Sequence, residues 1–565
     1  MLYISPCTRH NSNTNLPTMS LSLSIPQFVV TGVVLWVLSA LYRKLFASSS
    51  LDNLPGPPSS NLLLGHLQDL HNRNAWGFHK RLIHEYGPVS VVRGMFGTRM
   101  VYVFDPKALH NIVVKDQYIY EETPLVLNFN RLFFGKGLLS SLGEEHRHQR
   151  KILNPVFNIN HMRHMTPLFY QVAHRLRDAI SRQVGSGDQE VDMLAWLTRT
   201  ALELVGQGGL GWSFDKLDSP EPNALAECLK AFIPTIGPLA LLLEFMPFFA
   251  KIGPAWLRRK AIEKIPIERI QKSINISDTL DKTVRAIMES KKAALAAGDE
   301  AVTLQIGEGK DIISVLMKSQ MEGTEEDRMS DEEFMGQMNT LIFAAFETTS
   351  GALSHIVHKL AENPEIQKRL RKELIAARDG RDMIPYDELV TLPYLEAVCR
   401  ETLRLHAPLS TMNRRTTQDI VMPLSTPIRG KDGIMISEVP LPKDTTVTIA
   451  ILGSNINPAI WGDDAEEWKP ERFLQPVPEA VTEARIPGVY SNLMTFLGGG
   501  RACIGFKFSQ LEMKVVLAVL IETFKFEVPK DKDICWNYGG VQFPSVGRED
   551  EHGQLPLRVS LAKST

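Results

Sequence analysis

The chain has 565 residues, with 62 Lys and Arg against 64 Asp and Glu, a formal net charge of -2 and 44% hydrophobic residues. That balance gives no electrostatic reason to propose nucleic acid as a partner, and the length allows one large domain with appendages. The five cysteines, Cys7, Cys228, Cys399, Cys503 and Cys535, form no CxxC pair, which argues against a zinc site or a disulfide framework and for a reduced, cytosol-facing environment.

No side chain is charged over residues 11–42, and residues 25–42 are mostly apolar, with Arg43 and Lys44 directly after them. That is about the length needed to cross a bilayer. A cleaved signal peptide is the competing reading, but it places its basic residues before the apolar run. The segment therefore predicts one transmembrane anchor over residues 25–46 behind a lumenal segment, residues 1–24. Positive charge after the span puts the C-terminal bulk in the cytosol. Met19 opens a run that would itself make an ordinary start for an anchor, so residues 1–18 are read as an alternative start.

Leu54-Pro55-Gly56-Pro57-Pro58 comes next, a stiff run poor in backbone donors. It predicts a spacer over residues 47–60 between membrane and globule. Residues 61–565 contain no repeat and read as a single domain. Their pattern is mainly helical, with short β signals at residues 89–93, 100–104 and 445–450. Gly206-Gln-Gly208-Gly-Leu-Gly211 satisfies GxGxxG, yet a helix-periodic run precedes it and a turn-rich one follows, the reverse of the order a dinucleotide site needs. Residues 231–257 are apolar and broken by Pro234, Pro238 and Pro247. They predict two helices around a loop, either dipping into a membrane surface or packing in the core.

One long helix is well delimited. Ser330 and Glu333 make a capping box, apolar residues recur at Phe334, Met338, Leu341, Ile342 and Ala345, and Asn363-Pro364 marks the end. Its middle reads Ala344-Ala345-Phe346-Glu347-Thr348-Thr349, where small residues allow close approach of a flat group and a carboxylate adjoins a hydroxyl able to relay protons. A second predicted helix, from Pro393 to about His406, carries Glu401-Thr-Leu-Arg404. ExxR alone is weak, since it recurs at Glu144/Arg147 and Glu325/Arg328.

The sharpest pattern is Phe496-Leu-Gly-Gly499-Gly-Arg501-Ala-Cys503-Ile-Gly505, followed by an apolar-periodic helix over residues 506–524. Flanking glycines let backbone N–H groups approach the sulfur, and a helix N-terminus favours a thiolate. This window resembles the cytochrome P450 signature FxxGxRxCxG at each of its fixed positions. The resemblance extends in order over nearly the whole chain: the 344–349 run is similar to the family's (A/G)Gx(D/E)T(T/S) element, departing at Ala345 where glycine is usual. Glu401/Arg404 and Pro470-Glu-Arg472-Phe473 resemble its ExxR and PERF elements.

The resemblance implies a mainly α cytochrome P450 fold with a small β-rich subdomain, in addition to the anchor. It implies haem b as cofactor, with Cys503 as the axial ligand of the iron, Phe496 beside the haem and Arg501 on a propionate. Arg150, in a WxxxR-like element where His146 replaces tryptophan, and Arg414, five residues before Asp419, are further expected propionate contacts. Glu401, Arg404 and Arg472 are expected to form a buried structural charge network, and Glu347 and Thr348 to deliver protons. Phe129, Phe133, Leu139, Phe346 and Leu409 are expected to line the substrate pocket. A thiolate ligand pushes electron density through iron and favours O–O cleavage. The implied function is a monooxygenase of the endoplasmic reticulum membrane acting on a small apolar substrate with O2. Electrons would come from NADPH-cytochrome P450 reductase, with cytochrome b5 as an additional donor. An O2-independent haem-thiolate isomerase or dehydratase and a non-enzymatic haem sensor are the rival readings. The motif details look most like fungal microsomal members of secondary metabolism, which suggests a terpenoid-like substrate.

Overall fold

Ser330 accepts a hydrogen bond from the Glu333 N–H, and Glu333 accepts one from the Ser330 N–H, so the long helix starts at its predicted capping box. In this computed structural model it runs Asp331–Glu362 and stops at Asn363, before Pro364. Asp331, Glu332 and Glu333 in its first turn complement the helix dipole. At 1.5 Å per residue its length is about 48 Å, enough to cross the molecule. It packs on the helices Met193–Leu204, Pro393–Leu405 and Phe506–Thr523, whose apolar faces enclose it. The structure describes residues 49–562 apart from 60, 62, 186, 219–223, 244, 299–300, 302–307 and 323–327.

The strands among these residues are β1 (Val89–Arg93), β2 (Arg99–Val103), β3 (Tyr120–Glu121), β4 (Gln189–Asp192), β5 (Thr411–Thr416), β6 (Ile420–Arg429), β7 (Met435–Leu441), β8 (Thr446–Ala450), β9 (Phe524–Glu527), β10 (Ile534–Asn537), β11 (Phe543–Val546) and β12 (Pro556–Leu561). The principal sheet has the order β1-β2-β8-β5-β3, with β2 and β8 parallel and the other pairs antiparallel. Three smaller sheets are β6-β7, β10-β11 and β4-β12-β9. The three predicted β signals are β1, β2 and β8, the last two each within a residue of expectation. Helices dominate and the sheets are small, as the fold reading implies.

The predicted anchor and lumenal segment, residues 25–46 and 1–24, lie outside the described residues. Among the described residues no helix is long and apolar enough to cross a membrane. The predicted spacer differs from expectation over its described part. Leu51 and Leu54 are buried in the core, the Val91 N–H donates to Pro55 O at 2.8 Å, and Asp52 is paired with Arg93 and Arg99. An extended proline-rich strand still offers carbonyls, and here it uses them to dock beside β1.

Residues 231–257 also depart from the two predicted helices. They form one-turn pieces, Phe232–Ile236, Ala240–Leu243 and Met246–Phe249, before the helix Ala255–Glu263. Pro234 and Pro247 lie in the first turns of Phe232–Ile236 and Met246–Phe249, and Pro238 lies in the turn Gly237–Leu239 between two pieces; each removes a backbone donor that a longer continuous helix would need. Phe232 and Ile236 are in the core, whereas Phe245, Phe248, Ile252 and Trp256 are exposed. The GxGxxG run is a buried π-helical turn, Val205–Leu210, continuing Met193–Leu204; Gly211 takes φ +60°, and a side chain there would collide with the Lys291–Asp311 pair.

Candidate functional site

The cysteine loop lies between the 3-10 turn Met494–Phe496 and the helix Phe506–Thr523. The Cys503 N–H donates to Phe496 O at 2.9 Å and closes the loop, and the Gly500 N–H donates to Gln117 Oε1 at 2.7 Å. Close backbone approach demands the glycines: a Cβ at Gly498 would strike Pro487 O, and Gly499, at φ +67°, lies against Val113 O. Phe496 packs edge-on to Tyr490 and tilted to Phe506. Cys503 is solvent-accessible although protein groups surround it closely. Enclosure raises its thiol pKa, while the Gly505 backbone N–H and the Arg150 charge lower it.

Three segments bring four basic side chains to one flank of this loop. The helix Gly143–Leu153 supplies His146 and Arg150, β5 supplies Arg414, and the loop itself supplies Arg501. Arg150 donates to Ala502 O. Arg414 is buried and pairs with Glu122 at 2.9 Å; Arg501 pairs with Glu121 at 3.2 Å and donates to Ser141 O at 3.0 Å. Burial, then the charges of Arg501, Arg150 and Arg414, hold the His146 pKa down at about 3, so its ring is neutral at physiological pH. A pocket of about 530 Å³ opens on this flank, lined by Tyr118, Glu121, His146, Arg150, Gly500 and Arg501 among others.

Beneath the loop, Glu401 and Arg404 on the helix Pro393–Leu405 form a bidentate pair at 2.7 and 2.8 Å, both fully buried. Arg404 also donates to the carbonyls of Asn455, Ala465 and Glu467, and Arg472 reaches Glu401 at 3.4 Å and Asp464 at 2.9 Å. The guanidinium has donors enough for all these acceptors, which is what a buried charge requires. By contrast Glu144 and Arg147, the same spacing elsewhere, are an exposed surface pair.

The middle of the long helix presents an accessible stripe. Ala344 is exposed and Phe343, Ala345, Glu347 and Thr348 are half-buried, although the turns on either side are largely buried. Thr348 Oγ1 donates to Ala344 O at 2.6 Å. Burial raises the Glu347 pKa to about 8, and no side-chain hydrogen bond offsets it among the described residues. Phe129 and Phe133 join Phe134, Phe232 and Phe343 in one aromatic cluster; Phe133–Phe232 and Phe134–Phe343 centroids are 5.0 and 4.3 Å apart. Leu409 is half-buried and Leu139 is 37% exposed. Phe346, at 1% exposure, lies in the core instead of on the accessible stripe, because it occupies the opposite side of the helix from Ala344 and Thr348.

The cytochrome P450 family profile matches residues 55–551. The chain belongs to the cytochrome P450 family. It is 52% identical over 543 residues to cytochrome P450 monooxygenase 91 of Postia placenta, covering 96% of this chain and 100% of that one. It is 45% identical over 544 residues to ganoderic acid synthetase CYP5150L8 of Ganoderma lucidum, covering 95% and 98%, and 37% identical over 524 residues to cytochrome P450 monooxyhenase eriI of Hericium erinaceus, covering 91% and 94%. The protein is thus a cytochrome P450 monooxygenase, an oxidoreductase, and its family implies a haem-thiolate cofactor, O2, an organic substrate and a redox partner.

Several residues of this P450 site have no sequence signal of their own. Glu121 and Glu122 look like an ordinary acidic doublet before the helix-capping Thr123, yet they partner Arg501 and Arg414. Phe232 belongs to an apolar stretch whose other aromatics are exposed. Asn455 carries no motif, but it links Arg404 to the cysteine loop.

Proposed function

We propose that this P450 is a membrane-bound haem-thiolate monooxygenase of the endoplasmic reticulum. It inserts one atom of O2 into a C–H or C=C bond of an apolar, terpenoid-like substrate, the other leaving as water, in secondary-metabolite biosynthesis. The observation that carries this reading is the gathering of Arg150, Arg414, Arg501 and His146 beside the accessible Cys503 thiol. Three guanidiniums there face two carboxylates, Glu121 and Glu122, and Arg150 meets neither. That surplus suits the propionate edge of haem b, and arginine's fork suits carboxylates. The glycine-bounded loop suits a thiolate ligand, Cys503, with Phe496 packed beside it.

When bound, haem supplies dioxygen activation, which a thiolate ligand assists by donating electron density to the iron. The chain's own residues do the rest. Arg150, Arg414 and Arg501 bind the propionates, and neutral His146 adds a hydrogen bond without further charge. Glu347, protonated at neutral pH by its burial, holds a proton beside the Thr348 hydroxyl, which passes it on. The aromatic cluster around Phe129, Phe133 and Phe232, together with Leu409, excludes water and orients an apolar substrate.

Electrons come from NADPH-cytochrome P450 reductase, with cytochrome b5 as an additional donor. The exposed apolar residues Phe245, Phe248, Ile252 and Trp256, next to Lys251, Arg258 and Lys260, support contact with a membrane. The relative named ganoderic acid synthetase supports a secondary-metabolite substrate. The decisive test is Cys503→Ala in the full chain: it should abolish the thiolate-type absorption band of the reduced carbon-monoxide complex, and a surviving band refutes the ligand assignment. With reductase and NADPH, label from isotopic dioxygen should enter the product; label-free turnover excludes oxygen insertion.

A further inference from the structure

The β10–β11 hairpin carries a tip, residues 538–542, that packs against the long helix. A Cβ at Gly351, one turn beyond Thr348, would lie 3.3 Å from Gln542 O and 3.8 Å from Val541 Cγ1. A Cβ at Gly540 would lie 3.8 Å from Ile233, the neighbour of Phe232. The tip therefore spans from the long helix to the aromatic cluster.

Gln542 is 3% exposed and uses its whole amide. Its Nε2 donates to Ala407 O at 2.7 Å and to Ser410 Oγ at 3.0 Å, its backbone N–H donates to Pro408 O at 3.2 Å, and its Oε1 meets His355 Nε2 at 2.9 Å. Because both amide hydrogens go to acceptors, Oε1 has to accept, so His355 carries its proton on Nε2. The other ring nitrogen, Nδ1, is buried with no hydrogen-bond partner among the described residues. The His355 ring is stacked between His406 and Trp536, with centroids at 4.3 and 3.2 Å.

We infer that Gln542, oriented by His355, is the positioning residue that locks the hairpin tip and residues 407–410 to the long helix and so sets the depth of the substrate pocket. This rests on the distal pocket of the proposed monooxygenase. Neither side chain touches the reacting atoms; each acts by fixing where Val541 and Leu409 stand. An amide that satisfies three groups on two other segments at once cannot be replaced without freeing at least one of them.

The test uses the full-length, haem-loaded protein and two probes that bind the iron from the distal side, imidazole and 4-phenylimidazole, titrated by absorption difference spectra. Gln542→Leu and His355→Phe should leave imidazole affinity unchanged but alter the affinity for 4-phenylimidazole relative to it by about tenfold, the scale of one buried hydrogen bond. His355→Gln, which restores an N–H donor, should recover much of the original ratio. Ratios unchanged in both disruptive variants overturn the inference. If either variant takes up no haem, Ser410→Ala, which removes a single contact, decides by the same ratio. A wild type without the reduced carbon-monoxide band refutes the haem reading itself, a result separable from an unchanged ratio.

Discussion

Arg404 and Asn455 meet through a single carbonyl: Arg404 Nη1 donates to Asn455 O at 2.9 Å, while the Asn455 side chain accepts from the Met494 N–H and donates to Thr495 Oγ1, both at 2.9 Å. Thr495 in turn donates to Leu403 O at 2.8 Å. The buried ion pair is thereby tied to the residues directly before Phe496, and the cysteine loop inherits its position from a network more than ninety residues upstream.

Asn455→Ala should leave a folded protein with a loosened cysteine loop. Two buried hydrogen bonds are lost, so stability should fall by about 1–3 kcal/mol. Amide exchange at residues 494–497 should accelerate more than exchange in the long helix. Equal protection in variant and wild type would show that the strap does not hold the loop.

Arg404→Leu should be more damaging than the double substitution Glu401→Leu/Arg404→Leu. The single change strands a fully buried carboxylate, at a cost of about 3–5 kcal/mol, whereas the double change removes both charges. Arg472 still faces Glu401 in the single variant and limits the loss. Denaturant midpoints of the two variants make the comparison; a double variant as weak as the single one contradicts the account.

Glu347 should make stability depend on pH. Its pKa is raised from 4.5 to about 8, so between these values the folded state keeps a proton that the unfolded state has released. Stability contributed by that proton is present at acid pH and declines as pH rises through the window, reaching its minimum above about 8. Unfolding curves across this range should show a shallower decline for Glu347→Gln. In infrared difference spectra of the wild type, a protonated carboxyl band absent from the variant should disappear on the alkaline side.

Asp52 should act with the opposite sign. The Arg99 hydrogen bond, chiefly, and Arg93 hold its pKa at about 2, so its stabilising effect is complete above the unfolded value of 3.8 and lost as pH falls toward 2. Asp52→Asn should expose residues 49–58 to protease at neutral pH, with the difference from wild type shrinking on acidification. Identical cleavage at neutral pH would mean the proline-rich segment is held by Leu51 and Leu54 alone.

What the sequence determined by itself is local and contiguous. The Ser330/Glu333 cap and the Asn363-Pro364 stop bound the long helix to the residue, and the Phe496–Cys503 window closes on itself through one backbone hydrogen bond. The i,i+3 spacing of Glu401 and Arg404 already lets them pair. These features depend on neighbours a few residues apart, whose geometry the backbone dictates. Tertiary structure alone decided which carboxylates meet Arg414 and Arg501, that residues 51–55 dock beside β1, that Phe232 joins the aromatic cluster while Phe346 faces the core, and that Gln542 ties three elements together. Those contacts join segments up to hundreds of residues apart, and no periodicity or spacing encodes them. They form because buried polar groups must find partners and apolar faces must be covered once the helices have packed.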